Sequence, residues 1–200
     1  MKSWLFSVFV LLLACGCAGP QTLLLRVGLG PDISPPLLPE GKKVTVSLSP
    51  FSDIRGEKIS LGTRTRYEGV VDTYAPEGDL SQAVTEAVET WLGKSGFTVT
   101  RIPSWDLTSI SLKGFSTNLV IGGKIEKLTV ETINRFAKTN TYATCILSVV
   151  IGRTHDSSVT TERVESSAEN QSPFFSLESV EGTTSDALTQ ALTRALKKLP

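Results

Sequence analysis

Apolar and polar residues alternate along several stretches of the chain, a pattern typical of half-buried strands. In the first stretch, Val44, Val46 and Leu48 fall on one side, and small polar residues fall on the other. The rhythm breaks near Glu126, where we expect a bulge. The same alternation predicts further strands at Phe97 to Ile102, Leu119 to Val130, Thr139 to Gly152 and Val159 to Ala168.

Two other segments repeat apolar residues every three or four positions, which predicts amphipathic helices. Asp79 is suited to cap the first helix, and Gly96 is suited to end it. The second helix runs from Asp186 to Leu199. Together these elements predict an α+β domain built as a two-layer sandwich. Two helices cover one face of a mostly antiparallel sheet, in a strand-helix-strand plan followed by a meander and a closing helix.

The segment Ser52 to Gly78 shows no sustained period and predicts a long loop, with one candidate hairpin from Gly62 to Val71. Long loops in compact domains are often functional. Arginine presents a planar fork that can hold a carboxylate or phosphate of a partner. The candidate partner-binding residues in this loop are Asp53, Arg55, Arg64, Arg66 and Tyr67.

A structural role is the alternative for this loop. Aspartates in turns commonly accept hydrogen bonds from loop amides, so Asp53 paired with Arg55 would fasten the loop instead of binding a partner.

The later strands suggest a second candidate surface. Tyr142, Ile146 and Val150 lie on the side opposite Cys145, which we expect to be a small buried residue and not a reactive thiol. An apolar patch left open there would be a partner surface. A covering segment, such as residues 22 to 28, would explain the same pattern.

Residues 1–14 have the form of a signal peptide for export. A basic Lys2 precedes an apolar run from Trp4 to Ala14, which is too short to cross a bilayer because a spanning helix needs about 20 apolar residues. The run ends in Leu12-Leu13-Ala14-Cys15, which resembles the lipobox of bacterial lipoproteins. That resemblance implies that Cys15 is lipidated and becomes the new N-terminus.

Two alternatives to this anchor stay open. Cys17 is a second candidate for lipidation, although no leucine stands three positions before it. An ordinary signal peptide cut after Gly16 or Ala18 would leave no lipid. Gly16 also bears on location, because a residue other than aspartate after the lipidated cysteine is associated with transfer to the outer membrane.

Repeated prolines follow, so residues 15–41 are predicted to be a lipidated tether and residues 42–200 a single globular domain. Within the tether, Thr22 to Val27 is apolar enough to form either a short strand or an extended arm.

Composition excludes several functions. Twenty basic residues balance twenty acidic ones, which argues against nucleic-acid binding driven by charge. The single histidine, His155, and the scattered carboxylates match no zinc or calcium pattern, and no serine-hydrolase elbow is present. We expect no cofactor, no metal, no structural disulfide and no enzymatic activity.

The order of elements, together with the lipobox, resembles the YajG-like family of bacterial lipoproteins over most of residues 12–199. The residues that carry the resemblance are the strand Val44 to Phe51, Asp53-Ile54-Arg55, Ile59-Ser60-Leu61-Gly62, and the helix end Trp91-Leu92-Gly93-Lys94-Ser95-Gly96-Phe97. Here Ser60 and Leu61 separate Ile59 from Gly62, a departure from the family's Ile-Gly loop. The resemblance implies fold and location more than activity.

These observations predict a lipid-anchored periplasmic lipoprotein of the cell envelope, held at the outer membrane, that docks on an envelope protein without catalysis. The alternative is a carrier or sensor of an apolar envelope ligand, which requires a cavity between sheet and helices.

Overall fold

The computed structural model describes residues 19–31 and 33–199. Within these residues the chain forms one eight-stranded sheet, two α-helices and a short 3-10 turn at Ser111–Gly114. The helices are α1 (Leu80–Lys94) and α2 (Leu177–Leu196). The strands are β1 (Thr22–Leu25), β2 (Thr45–Asp53), β3 (Gly62–Thr65), β4 (Val71–Pro76), β5 (Thr98–Arg101), β6 (Leu119–Arg135), β7 (Lys138–Arg153) and β8 (Ser158–Ser172).

The long strand β6 organises the sheet. Along one edge it pairs in parallel first with β2 and then with β3, and along the other edge it pairs antiparallel with β7, which in turn pairs with β8. The remaining strands extend the first side, since β5 pairs with β2, and β4 joins β3 to β1. The antiparallel ladders of β6, β7 and β8 are the longest. The predicted α+β class is confirmed, with short parallel pairings added.

The predicted break in β6 is confirmed. The register between β6 and β7 shifts between Ile125 and Lys127, which leaves Glu126 as the extra residue of a bulge. The side chain of Glu126 accepts a hydrogen bond from Ser148 and another from Arg163. These bonds hold the bulge across three strands.

Both predicted helices are present. Asp79 caps α1 by accepting hydrogen bonds from the backbone N–H groups of Ser81 and Gln82, and Gly96 follows the helix in the left-handed region at φ 93°. The second helix begins at Leu177, nine residues before the predicted start at Asp186.

The choice between strand and arm for residues 22–27 is decided by the structure, because β1 pairs with β4 from Thr22 to Leu25. Leu25 is fully buried. The chain then passes α2, where the N–H of Gly30 donates to Oγ1 of Thr189 at 3.1 Å. Part of the proline-rich stretch therefore belongs to the packed fold.

The helices and the sheet enclose the main core, with Trp91, Leu92, Leu128 and Leu188 almost completely buried. A smaller core lies on the other face of the sheet. There, Trp105 and other side chains from residues 102–115 pack on Val120 and Val150. Of the two alternatives for this face, an open surface and a covering segment such as residues 22 to 28, neither holds throughout, because β1 pairs with β4 in the sheet and residues 102–115 cover part of the face. The 102–115 link covers the part of this face around Val120 and Val150.

Candidate functional site

Asp53 and Arg55 form a pair that fastens the loop after β2. Nε and Nη2 of Arg55 each donate to the Asp53 carboxylate at 3.0 Å, and its guanidinium also donates to the carbonyls of Lys58 and Ser60. Arg55 is buried. Burial alone would raise the pKa of Asp53, but the hydrogen bonds from Arg55 hold it below its usual value. The geometry is that of the structural alternative.

Arg64 and Arg66 converge on a different carboxylate, that of Asp72 in β4. Arg66 donates to both Asp72 oxygens, at 2.8 and 2.7 Å, and Nη1 of Arg64 lies 3.6 Å from Oδ2. The Asp72 side chain is fully buried. The hydrogen bonds from Arg66 hold the pKa of Asp72 below its ordinary value, so the carboxylate is ionised at neutral pH.

Two further contacts complete this arginine-aspartate cluster, which we define as Arg64, Arg66 and Asp72. The guanidinium carbon of Arg64 lies 3.4 Å from the ring centroid of Phe175, a cation–π contact. The backbone N–H of Gln21 donates to Oδ1 of Asp72 at 3.0 Å. The cluster therefore joins β3, β4, the start of β1 and the link before α2.

An open depression of about 450 Å³ lies beside the cluster and is lined by Gln21, Arg64, Arg66, Tyr67, Glu68 and Asn134. Two of its buried polar atoms, Nε of Arg64 and Oδ1 of Asn134, have no hydrogen-bond partner among the described residues. Tyr67 is 69% exposed. It is the one member of the predicted loop set that presents most of its side chain to solvent, and the five residues do not form a single site.

The face of β6, β7 and β8 opposite the helices is only partly covered. Val150 is buried under the 102–115 link, Ile146 is half-buried and Tyr142 is 43% exposed. A shallow depression of about 250 Å³ surrounds Tyr142, lined by Lys138, Asn140, Glu169, Asn170 and Gln171. We call the uncovered part of this surface, around Tyr142 and Ile146, the open face. It is bordered by β8, which among the described strands pairs with β7 alone.

The core between helices and sheet consists of closely packed apolar side chains, and an apolar-lined depression of about 200 Å³ lies beside it, lined by residues of α1, β2 and β5. Leu92, Leu147 and Leu188 are fully buried there, together with Cys145. Burial raises the pKa of the Cys145 thiol to about 12, so it stays protonated and unreactive, in line with the expectation of a small buried residue. This packing gives the carrier alternative no support.

Cys15, Cys17 and Gly16 lie outside the described residues. Within residues 19–31 and 33–199 no group of three or more His, Cys, Asp or Glu side chains is arranged to hold a metal ion. Among the described helices, neither is long and apolar enough to cross a membrane.

Asp72, the residue on which the cluster depends, is not among the residues predicted from the sequence. Asp72 and Tyr74 share one side of β4, and the hydroxyl of Tyr74 lies 2.9 Å from Oγ1 of Thr132 inside the sandwich. Alternation around Tyr74 could have assigned Asp72 to the buried side. A buried carboxylate needs cationic partners, and Arg64 and Arg66 are the nearest arginines in sequence.

No protein-family model matches the chain, and no curated protein matches it either. Several solved structures do match the chain. The crystal structure of protein XCC0632 from Xanthomonas campestris, of family DUF330, aligns with a TM-score of 0.51 and 14% identity over 86% of this chain and 91% of that chain. The two chains share a fold. At this identity the likeness carries no assignment of function.

Lower-scoring structures include the hypothetical protein CT253 from Chlamydia trachomatis, with a TM-score of 0.46 and 10% identity over 79% of this chain and 96% of that chain. They also include lipoprotein GNA1162 from Neisseria meningitidis, with a TM-score of 0.38 and 9% identity over 74% of this chain and 96% of that chain.

Proposed function

We propose that this chain is a non-enzymatic lipoprotein of the bacterial envelope, anchored by lipid on Cys15 and docked on an envelope protein. The lipobox Leu12-Leu13-Ala14-Cys15 supports the anchor, and Gly16 supports the outer membrane as its location. A thioether-linked diacylglycerol gives lasting attachment because two acyl chains bury enough methylene groups to hold a soluble domain.

Membership of the YajG-like family is part of the proposal. Its loop motif has clear structural roles here, which supports the resemblance. Asp53 and Arg55 fasten the loop, and Gly62 passes so close to β6 that a Cβ atom would lie 1.9 Å from the carbonyl oxygen of Val130. A glycine is needed at that position.

The single observation that carries the docking role is the open face beside the edge strand β8. The apolar depression beside α1, about 200 Å³, is smaller than the roughly 300 Å³ at which small-molecule sites usually begin, whereas a half-uncovered sheet with an exposed aromatic residue is suited to a protein partner. Tyr142 lies at the centre of that surface. The charged side chains Arg163, Glu165 and Glu169 along β8 discourage indiscriminate strand pairing and favour a polar partner surface.

The test is photo-crosslinking in the native host. Benzoylphenylalanine replaces Tyr142 in one strain and Ile110, which is 83% exposed on the link 102–115, in a matched control strain. We expect one discrete protein adduct from position 142 and none from position 110. Identical adduct patterns from the two positions, or no protein adduct from position 142, would contradict docking through the open face.

A further inference from the structure

The chain enters the domain at one defined end of the sheet. The carbonyl oxygen of Gly19 accepts a hydrogen bond from Nη2 of Arg66 at 3.4 Å, and Gln21 is bonded to Asp72. From there β1 runs parallel to β4, starting where Thr22 pairs with Thr73. Gly19 is therefore held beside the turn between β3 and β4.

Three exposed aromatic side chains lie at this same end, each on a different turn. Tyr67 is in the β3–β4 turn, Phe136 is in the β6–β7 turn and Phe174 lies two residues beyond the end of β8. Their exposed fractions are 69%, 85% and 78%. We call these three residues the aromatic tip.

Strand register places the three turns at one level of the sheet. Thr65 at the end of β3 pairs with Ile133, two residues before the end of β6. The β6–β7 hairpin closes at the pair Arg135 and Lys138, and the end of β8, at Ser172, pairs with Thr139 beside that hairpin. The turns that leave these strand ends therefore share one end of the molecule.

The charges around the tip suit a membrane surface. Arg135 and Lys138 flank Phe136 in the hairpin and are both exposed. Two exposed acidic residues are close in sequence to the tip, Glu68 beside Tyr67 and Glu178 four residues after Phe174, and the buried Asp72 carboxylate is paired with its two arginines. Aromatic rings flanked by Arg and Lys are the side chains that membrane-water interfaces favour.

The length of chain before Gly19 limits where the tip can be. An extended chain spans at most about 3.5 Å per residue, so a lipid on Cys15 lies within about 14 Å of Gly19. If Cys17 carries the lipid, the limit falls to about 7 Å by the same geometry. Either anchor holds this end of the domain against the membrane surface, and the opposite end points away.

We propose that the aromatic tip inserts among the lipid headgroups of the membrane that holds the anchor. This inference rests on the proposed lipid anchor. The tip fixes the orientation of the domain, with the sheet standing upright on the membrane and the link 102–115 pointing into the aqueous space. In that orientation the open face around Tyr142 is presented sideways to a partner.

The test uses the full-length mature protein in vesicles of phosphatidylethanolamine and phosphatidylglycerol, with and without acyl chains that are brominated close to the glycerol backbone. Phe136→Trp adds a reporter at the tip. Ile110→Trp adds one at an equally exposed apolar position at the other end, where the 102–115 link packs on the first residues of β6. The native Trp91 and Trp105 are buried in both variants and supply the same background.

We expect the added emission of Phe136→Trp to be shifted to the blue and mostly lost in brominated vesicles, while that of Ile110→Trp is unchanged. Equal emission in both kinds of vesicle for Phe136→Trp would overturn the proposal. A second result would also overturn the proposal. If the tryptophan of Phe136→Trp is shielded from iodide in native membranes but is not quenched in brominated vesicles, a protein and not lipid covers the tip.

The mass of the N-terminal peptide, measured on the same samples, separates the two proposals. If the peptide is lipidated while the tryptophan added by Phe136→Trp emits as it does in water, only the tip proposal fails. If the peptide carries no lipid, the proposal of a lipid anchor fails. Quenching of the Phe136→Trp emission in brominated vesicles then still shows whether the tip binds lipid.

Discussion

The backbone N–H of Gln21 donates to Oδ1 of Asp72 at 3.0 Å, across 51 positions of sequence. This bond joins the segment that leads to the proposed anchor with the hairpin that carries Arg64 and Arg66. The first strand is thereby tied to the domain by a buried charge as well as by its pairing with β4.

Replacing Asp72 by Asn should destabilise the fold. The amide keeps the shape of the carboxylate but removes its charge, which leaves Arg64 and Arg66 facing each other without their shared anion. The side chains of Arg64 and Arg66 are 17% and 18% exposed, so water partly solvates them in the variant, and we expect a loss of about 1.5 kcal/mol in the free energy of unfolding. Urea unfolding followed by tryptophan emission measures the loss. The control is Asp156→Asn in the exposed β7–β8 turn, for which we expect no change beyond about 0.5 kcal/mol.

The difference in the free energy of unfolding between wild type and Asp72→Asn should depend on pH. The pKa of Asp72 is lowered from its ordinary value of 3.8 by the hydrogen bonds from Arg66. Its stabilising contribution is therefore complete above that value and is lost as the pH falls through the lower folded-state pKa. The stability difference between wild type and Asp72→Asn should be constant from neutral pH to about pH 5 and shrink below about pH 4. A difference that is as large at about pH 2 as at neutral pH would contradict this account.

Gly62→Ala should destabilise the loop that carries the family resemblance. Gly62 has φ +140°, and the new Cβ would lie 1.9 Å from the Val130 carbonyl oxygen, so the β3–β6 pairing must separate. We expect a loss of about 2 kcal/mol or more in the free energy of unfolding. Gly56→Ala, in the same loop with open space around it, is the matched control and should be near neutral. Equal effects of the two substitutions would contradict the close approach of Gly62 to the carbonyl oxygen of Val130.

Cys145 should resist alkylation in the folded protein. Its thiol is fully buried and its pKa is raised to about 12, so hardly any thiolate exists at about pH 8. Peptide mass mapping after iodoacetamide treatment should find Cys145 unmodified without urea and modified in urea. Rapid alkylation of the folded protein would contradict the packing of β7.

Much of the fold could be predicted because local patterns determine it. The alternation at Val44 to Leu48 indicates β2, and Asp79 with Gly96 indicates the limits of α1. The first half of α2 was missed because Gly182 and neighbouring threonines are poor helix formers. In the structure the Thr183 hydroxyl donates to the Ser179 carbonyl one turn earlier, which satisfies it within the helix.

Long-range relationships were harder to predict. Asp53 and Arg55 are two residues apart, so their pairing could be considered from sequence. The pairing of Arg66 with Asp72 depends on the β3–β4 hairpin, and the grouping of Tyr67, Phe136 and Phe174 depends on strand register. The link 102–115, which contains Trp105, has no helical or strand periodicity. Its packing on the other face of the sheet could therefore not be predicted from the sequence.

The most direct test of the central claim, the lipid anchor, is mass spectrometry of the intact protein and its N-terminal peptide from the membrane fraction of the native host. A Cys15→Ser variant is measured beside the wild type. We predict that the wild type begins at a lipidated Cys15 and that the variant carries no lipid and leaves the membrane fraction. A wild-type chain that begins after Gly16 or Ala18 without lipid would contradict the anchor.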